Sequence, residues 1–390
     1  MDTGASSTIN FKVNDGVATF SNGNTEIANF DLEGRLISFT KNGIAYRRTI
    51  SNTFYKIRIE GNLKVIDSVS HADGSSILEG SYNLAREAVN VGNVAHDVDV
   101  ARRVASRDLQ WAESDSKNLL SLYSAIPVIP PDQPSALFLE ITSGCKWNRC
   151  TLCRGYETRD YTIKSMDEFI SHLEAVKGHY GSGLSYHKSV FLGDVNALDI
   201  DQKMLLDILD SIKEKLNIPV FTAFDIFTTP KKKNMINYRD LKDHGLDRVY
   251  VFLESGSYRV IRLFNKHINV TETMNLVNNI KDHGIGVTIV VMAGIGGKKY
   301  SRDHVEATAN IISQLALDKG DSVILSPIIE SDDSNYLDIS SKEGLSDMSL
   351  QEKYAQMDDL TSSIRDAFRD VNGRDMDIPI IKYDLRESAL

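Results

Sequence analysis

Residues Ala136 to Tyr156, ALFLEITSGCKWNRCTLCRGY, decide how the rest of this chain is read. A short apolar run, ALFLEIT over 136–142, leads into a loop that holds all three cysteines of the 390-residue chain: Cys145, Cys150 and Cys153. Thiolates are soft ligands, and three of them on one tight loop suit zinc or an iron–sulfur cluster. Structural zinc usually closes its shell with four protein ligands, and the chain has no fourth cysteine to do so. A cluster held by three thiolates would leave one iron open to an outside ligand. Three clustered cysteines with none left over do not form a disulfide framework.

Downstream of this loop the chain alternates strand-like and helix-like segments. The strand-like runs are 136–142, KSVFLG at 188–193, VFTAFD at 220–225, RVYVFLE at 248–254, GVTIVVMA at 286–293 and SVILSPI at 322–328. Their near-continuous apolar character is that of parallel strands covered on both faces. Ser165 with Glu168 forms a capping box ahead of one amphipathic helix, and another helix begins near Asp201. The tetrapeptide KDHG occurs at Lys242–Gly245 and again at Lys281–Gly284, each time just before a strand. Gly245 and Gly284 are therefore expected in the left-handed conformation just past helix ends. Six βα units joined by right-handed crossovers predict an α/β fold, a partial (β/α)6 TIM-like barrel. In such folds the chemistry sits at the C-terminal ends of the strands, where the cysteine loop would lie.

Upstream, period-two alternation in INFKV, GVATFS, GRLISFT and FYKIRIEG predicts a small antiparallel sheet. Turns are signalled at Asn14-Asp15-Gly16, Asn22-Gly23-Asn24 and Lys41-Asn42-Gly43. From Tyr82 to Tyr123 the pattern turns helical, with Val100, Val104 and Trp111 on one face and Arg102, Arg103 and Arg107 read as a solvated face. PVIPPDQP, Pro127 to Pro134, carries half of the chain's eight prolines and reads as a stiff connector. The expected organisation is a smaller N-terminal β-rich plus helical domain (1–126), the connector (127–134), the partial barrel (135–329) and a C-terminal extension (330–390). That extension has a helix near Leu350–Asp370 and a last run, IPIIKYDL, expected to close or cover the barrel.

A CxxxxCxxC loop after a first strand, followed by βα units, resembles the radical SAM superfamily. The resemblance covers about Ser135 to Ile329. Its commonest spacing is CxxxCxxC, and one extra residue stands here between Cys145 and Cys150. The variant GC-x-WN-x-C-T-x-C is similar to a subgroup whose members are mostly of unassigned function. The resemblance implies that Cys145, Cys150 and Cys153 hold a 4Fe-4S cluster whose fourth iron is chelated by S-adenosylmethionine (SAM). Leu152 stands where an aromatic residue often touches the adenine, so that contact would be apolar or through backbone.

The resemblance extends to the strand ends. Gly193-Asp194 takes the place of a GGE-like motif that meets the SAM amino group, with Leu192 at the first glycine and a shorter acid; the pair also reads as a turn leading to a helix cap at Asp199. Glu254-Ser255-Gly256-Ser257 resembles a GLESGS stretch that reaches the ribose or the methionine end of SAM, although Ser255 or Ser257 could equally cap the helix from Tyr258. Arg262 and Lys266 follow at i and i+4, as partners for the SAM carboxylate or as an exposed basic face. Gly294 and Ile295, in AGIGG, would pack against adenine; the stretch lacks both the P-loop and the Rossmann spacing. Asp225 and Asn196 are the candidate catalytic or substrate-contacting groups at the mouth, or helix caps. The Lys231–Lys233 run reads as a solvated loop.

Composition bounds the partners. Hydrophobic content of 42% with 25% charged residues is that of a globular protein, and a formal charge of −10 argues against a nucleic-acid substrate. No apolar run reaches the ~20 residues that span a bilayer, and the N-terminus lacks the pattern of a signal peptide, so a cytoplasmic, reducing location is expected. The implied activity is reductive cleavage of SAM to a 5′-deoxyadenosyl radical that abstracts hydrogen from a small organic substrate. The implied electron donor is one such as flavodoxin or ferredoxin. A second cluster would need more thiolates than remain, and no cobalamin-binding Rossmann unit is visible in the N-terminal sheet. Two alternatives stay open: the same cluster transferring an aminocarboxypropyl group from SAM, or a non-catalytic zinc module with a non-cysteine fourth ligand. The N-terminal domain is left to cap the site or to mediate a homodimer.

Overall fold

The structure is a computed structural model and describes residues 9–23, 25–61, 63–92, 94, 96–124, 129–130, 132–151, 160–194, 197–224, 236–263, 265–266, 269–328 and 335–384. The chain falls into two compact units: residues 1–137 with 171–189 and 386–390, and residues 138–170 with 190–385. The first boundary thus falls just past the proline-rich stretch, and 171–189 groups with the N-terminal unit.

That unit is built on a seven-stranded antiparallel meander paired in chain order. Its strands are β1 (Ile9–Asn14), β2 (Val17–Asn22), β3 (Glu26–Asp31), β4 (Leu36–Lys41), β5 (Ile44–Arg48), β6 (Phe54–Glu60) and β7 (Leu63–Ser68). Asp15 and Gly16 (φ 49° and 79°), like Asn42 and Gly43 (φ 50° and 79°), supply the two positive φ angles of tight hairpin turns. Alternation leaves Ala18, Phe20, Ala28 and Phe30 buried on one face. The helix His71–Asn90 packs Leu78, Tyr82, Ala85 and Ala88 into the same core, with Tyr82 stacked on Phe30. Ser70 caps that helix by accepting from the Asp73 N–H.

The helices Val98–Ala105 and Leu109–Leu120 follow. As the helical spacing predicts, Val104 is buried and Val100 and Trp111 pack against the core. The basic face differs from expectation. Arg102 is exposed, but Arg103 donates to the Leu32 carbonyl (2.8 Å) and to Ser182 Oγ (2.7 Å), and Arg107 donates to the Glu33 carbonyl (2.9 Å) over the Trp111 ring. Carbonyls in the turn after β3 lack strand partners, and these arginines satisfy them. Arg35 does the longer-range work. Its guanidinium makes two parallel bonds to Asp115 (2.9 and 2.8 Å), a third to Asp31 (3.0 Å) and one to the His179 carbonyl (2.8 Å). One side chain thereby ties the β3–β4 turn, the helix Leu109–Leu120 and the 171–189 segment together.

The second unit carries an open-ended strand order β8–β11–β12–β13–β14–β15–β16. These are Ala136–Glu140, Ser189–Gly193, Val220–Phe224, Leu246–Glu254, Gly286–Ala293, Ser322–Pro327 and Ile380–Lys382, parallel at every pairing from β11 to β16. β11 and β15 are buried at every position, as their unbroken apolar runs require. The sheet has one strand more than the six βα units predict, because Ile380–Lys382 pairs beside Val323–Leu325. The helix Leu350–Asn372, begun by a Ser349/Glu352 capping box, carries the chain back to that edge. Helix ends follow the sequence closely. Asp201, rather than Asp199, caps Gln202–Lys215, and Gly245 (φ 109°) and Gly284 (φ 74°) terminate the two KDHG helices in the left-handed region.

Candidate active site

The cysteine loop leaves the C-terminal end of β8 and is closed at its base by a short antiparallel ladder, β9 (Thr142–Ser143) with β10 (Thr162–Ile163). Beside it, Lys164 pairs with the buried Glu140 at 3.0 Å. The loop is braced along its length by the segment after the helix Tyr258–Leu263. Trp147 Nε1 donates to the Asn265 carbonyl (2.8 Å), Asn265 Nδ2 donates to the Arg149 carbonyl (3.0 Å), and Thr151 Oγ1 donates to the Leu263 carbonyl (2.9 Å). Asn148 and Asn265 both take positive φ, which asparagine tolerates better than most side chains. Trp147, Asn148 and Thr151 thus have structural work in the GC-x-WN-x-C-T-x-C pattern. Sequence reading noted the pattern without this role, since Asn265 lies more than a hundred residues away. Cys145 and Cys150 are half-buried. Leu152 and Cys153 lie outside the described residues, as do Asn196 and Asp225.

A polar group gathers behind Cys145. Lys146 ion-pairs with the buried Asp199 and lies 4.8 Å from the centre of the Tyr161 ring. Burial, then the charges of Asp199 and Cys145, raise the Tyr161 hydroxyl above its ordinary value. No sequence signal separates these residues from surface polar groups; only the fold brings 146, 161 and 199 together.

The strand ends sort the remaining candidates. Asp194 is 2% exposed beyond β11, and its N–H donates to the Thr142 carbonyl at 2.8 Å, beside the base of the cysteine loop. A Cβ at Gly193 would sit 3.2 Å from the Phe138 and Phe191 rings, so the glycine suits this close packing. At the end of β13, Glu254 adopts φ 60° and its carboxylate meets Lys266 Nζ at 2.5 Å. Lys266 also reaches the Phe252 carbonyl at 3.4 Å, so a buried ammonium and a partly exposed carboxylate form one pair. Arg262 is exposed and lies beside Tyr258, apart from that pair.

The serines and the glycine-rich turn are engaged within the fold. Ser255 Oγ lies 2.8 Å from His304 Nδ1, and Ser257 Oγ bonds Asp303 and accepts weakly from the Val260 N–H at the helix start. Between them, a side chain on Gly256 would collide with the backbone of Ala307 and Thr308. Gly294 donates to Gln356 Oε1 at 2.7 Å, and Ile295 is wholly buried among Val260, Leu263, Ile328 and Tyr336. Its side chain therefore offers no surface to an adenine in this conformation.

Residues 139–312 match the family model of the radical SAM superfamily. That stretch carries a radical SAM domain, and members of the superfamily use a 4Fe-4S cluster and SAM. Among similar proteins, 4′-phospho-dehydrooxetanocin synthase of Priestia megaterium is 22% identical, over 44% of this chain and 26% of that one. An uncharacterised methyltransferase of Pyrococcus horikoshii is 27% identical over 47% and 38%. The cobalamin-dependent S-adenosylmethionine radical enzyme OxsB, with aqua-cobalamin bound, gives a TM-score of 0.38 at 16% identity, over 54% of this chain and 30% of that one. The chain spans well under half the length of these two curated relatives.

The residues present suit the family's cluster. Cys145 and Cys150 are partly accessible soft donors on a loop braced at its base and side. Among the described residues no group of three His, Cys, Asp or Glu side chains is disposed to hold another metal ion, and none of the helices is long and apolar enough to cross a membrane.

Proposed function

We propose that this enzyme cleaves SAM reductively and uses the 5′-deoxyadenosyl radical to take hydrogen from a small organic substrate. The observation that carries the reading is the cysteine loop, braced at the C-terminal end of β8 inside the span that matches the superfamily. Cys145, Cys150 and Cys153 would hold the cluster, which when bound supplies the single electron for carbon–sulfur cleavage.

The chain's own residues then bind and orient. Glu254 and Lys266 form a charge pair that can open to a zwitterion, the carboxylate accepting from the SAM ammonium and the ammonium donating to its carboxylate. Asp194 and the Gly193 backbone would complete the methionine end, and the Gly294 turn and Leu152 the adenine side. Ser255 and Ser257, already hydrogen-bonded, would act by fixing the Glu254 backbone. Asn196 and Asp225 are proposed for the substrate side. We read the parallel sheet as a partial barrel whose walls exclude water from the radical. An electron donor of the flavodoxin or ferredoxin type in a reducing cytoplasm suits this chemistry.

Anaerobic reconstitution with iron and sulfide, reduction in the presence of SAM and analysis of the nucleoside test the reading. 5′-Deoxyadenosine, lost when any of the three cysteines is changed to alanine, is the expected result. Methylthioadenosine would replace it with aminocarboxypropyl transfer, and bound zinc without iron would replace it with a structural module.

A further inference from the structure

The two segments that meet at the cysteine loop carry positive charge out of proportion to the rest of the chain. Residues 144–151 and 258–266 hold Lys146, Arg149, Arg259, Arg262 and Lys266 and no Asp or Glu, in a chain whose formal charge is −10. Lys146 is paired with Asp199, and Lys266 with Glu254. Arg149, Arg259 and Arg262 are exposed, and none of them forms an ion pair among the described residues.

These three arginines share one surface. Asn265 joins their segments, its Nδ2 donating to the Arg149 carbonyl (3.0 Å) and its N–H to the Arg262 carbonyl (3.1 Å). The Arg149 guanidinium lies 5.7 Å from the centre of the Trp147 ring, whose Nε1 donates to the Asn265 carbonyl. Arg259 and Arg262 stand three apart on the helix Tyr258–Leu263, a spacing that sets them side by side. Arg262 lies 5.8 Å from the ring of Tyr258, which is itself 66% exposed. Arginine with accessible Trp and Tyr is the composition that dominates protein–protein contacts. Three cations on an otherwise acidic chain suit an acidic protein better than a polynucleotide, whose backbone needs a longer track of positive charge. Arg149 directly precedes Cys150, so the patch borders the loop proposed to hold the cluster.

We propose that Arg149, Arg259 and Arg262 dock a small acidic electron-carrier protein of the flavodoxin kind beside the cysteine loop, an inference that rests on the radical reading above. In the docked pair one electron leaves the reduced flavin and enters the cluster, with no bond made or broken. The chain's net negative charge repels the same carrier, so the patch sets the orientation of docking as well as its strength.

The test is anaerobic calorimetric titration of the reconstituted full chain with a purified acidic flavodoxin. Saturable binding is expected, weakening by about tenfold as salt is raised from about 50 mM to about 300 mM. Arg149→Glu and Arg259→Glu should each weaken it by about tenfold. Arg102→Glu, the same charge change on the first unit, should leave it within about twofold. With dithionite as reductant Arg259→Glu should form 5′-deoxyadenosine at the unaltered rate, and with flavodoxin it should raise KM for the carrier while kcat holds. Absence of 5′-deoxyadenosine with dithionite would overturn the radical reading; the binding isotherm does not depend on that step and judges the patch by itself. Binding that strengthens with salt, binding indifferent to both arginine variants, no saturation, or tighter binding of a short single-stranded RNA would overturn the docking proposal.

Discussion

Glu254 and Lys266 show how one pair can serve both stability and ligand binding. The Lys266 ammonium is buried and has Glu254 as its counter-ion at 2.5 Å. Removing one member of a buried pair strands the other, typically at a cost of about 3–5 kcal/mol. Glu254→Gln should therefore lower the stability of the second unit by about 3 kcal/mol in urea unfolding. It should also weaken SAM binding by about tenfold in equilibrium dialysis, roughly the loss of one charge-assisted hydrogen bond. A purely structural pair would give the first effect without the second. At the same scale, the sequence singles out Cys145, Cys150 and Cys153 because the chain has no other thiol. Lys146, Asp199 and Tyr161 were not, because each is an ordinary polar residue until the fold sets it beside Cys145.

Among the elements, the cysteine loop depends on three side-chain bonds to one distant segment. Each is worth about 1 kcal/mol, enough to shift the loop's closed population several-fold without unfolding the sheet behind it. Thr151→Val and Asn265→Ala should thus lower iron retained after brief air exposure, measured per chain, while the urea midpoint moves by less than about 1 kcal/mol of stability. Unchanged iron retention would mean that the bracing does not govern the cluster. The helix ends were the most legible elements of all. Gly245 and Gly284 end their helices with positive φ, and Ser165, Asp201 and Ser349 begin theirs, since capping is decided within four residues. Ser255 and Ser257 show the limit. Their spacing suggests both cap and ligand, and only the approach of the helix Gly297–Ser313 commits their hydroxyls to His304 and Asp303.

In the whole molecule, each compact unit buries one histidine whose pKa falls to about 4: His187 in the first and His304 in the second. In both, desolvation dominates. The folded pKa lies below the unfolded value near 6.5, so on acidification the unfolded chain takes up the proton first. Their contribution to stability is complete above about pH 6.5 and drains away as the pH falls towards 4, by up to about 3 kcal/mol for each unit. Urea unfolding at pH 7 and pH 4.5 should show this loss, and His304→Gln should flatten it in the second unit only. A pH-independent midpoint over that range would refute the burial of both rings as charged-state determinants.

What the sequence determined alone was local and periodic: the meander with its Asp-Gly and Asn-Gly turns, the run of apolar parallel strands, the helix caps and the cysteine loop. These are set by backbone preferences and by which face of a short segment is apolar, so a window of a few residues contains the cause. The tertiary structure decided the rest. It added β16 to the sheet edge, turned Arg103 and Arg107 from a solvated face into carbonyl donors, paired Lys266 with Glu254 and buried Ile295. Those outcomes depend on which groups meet across tens to hundreds of residues. Desolvation and hydrogen-bond satisfaction act on the surroundings of a group, which the sequence order does not contain.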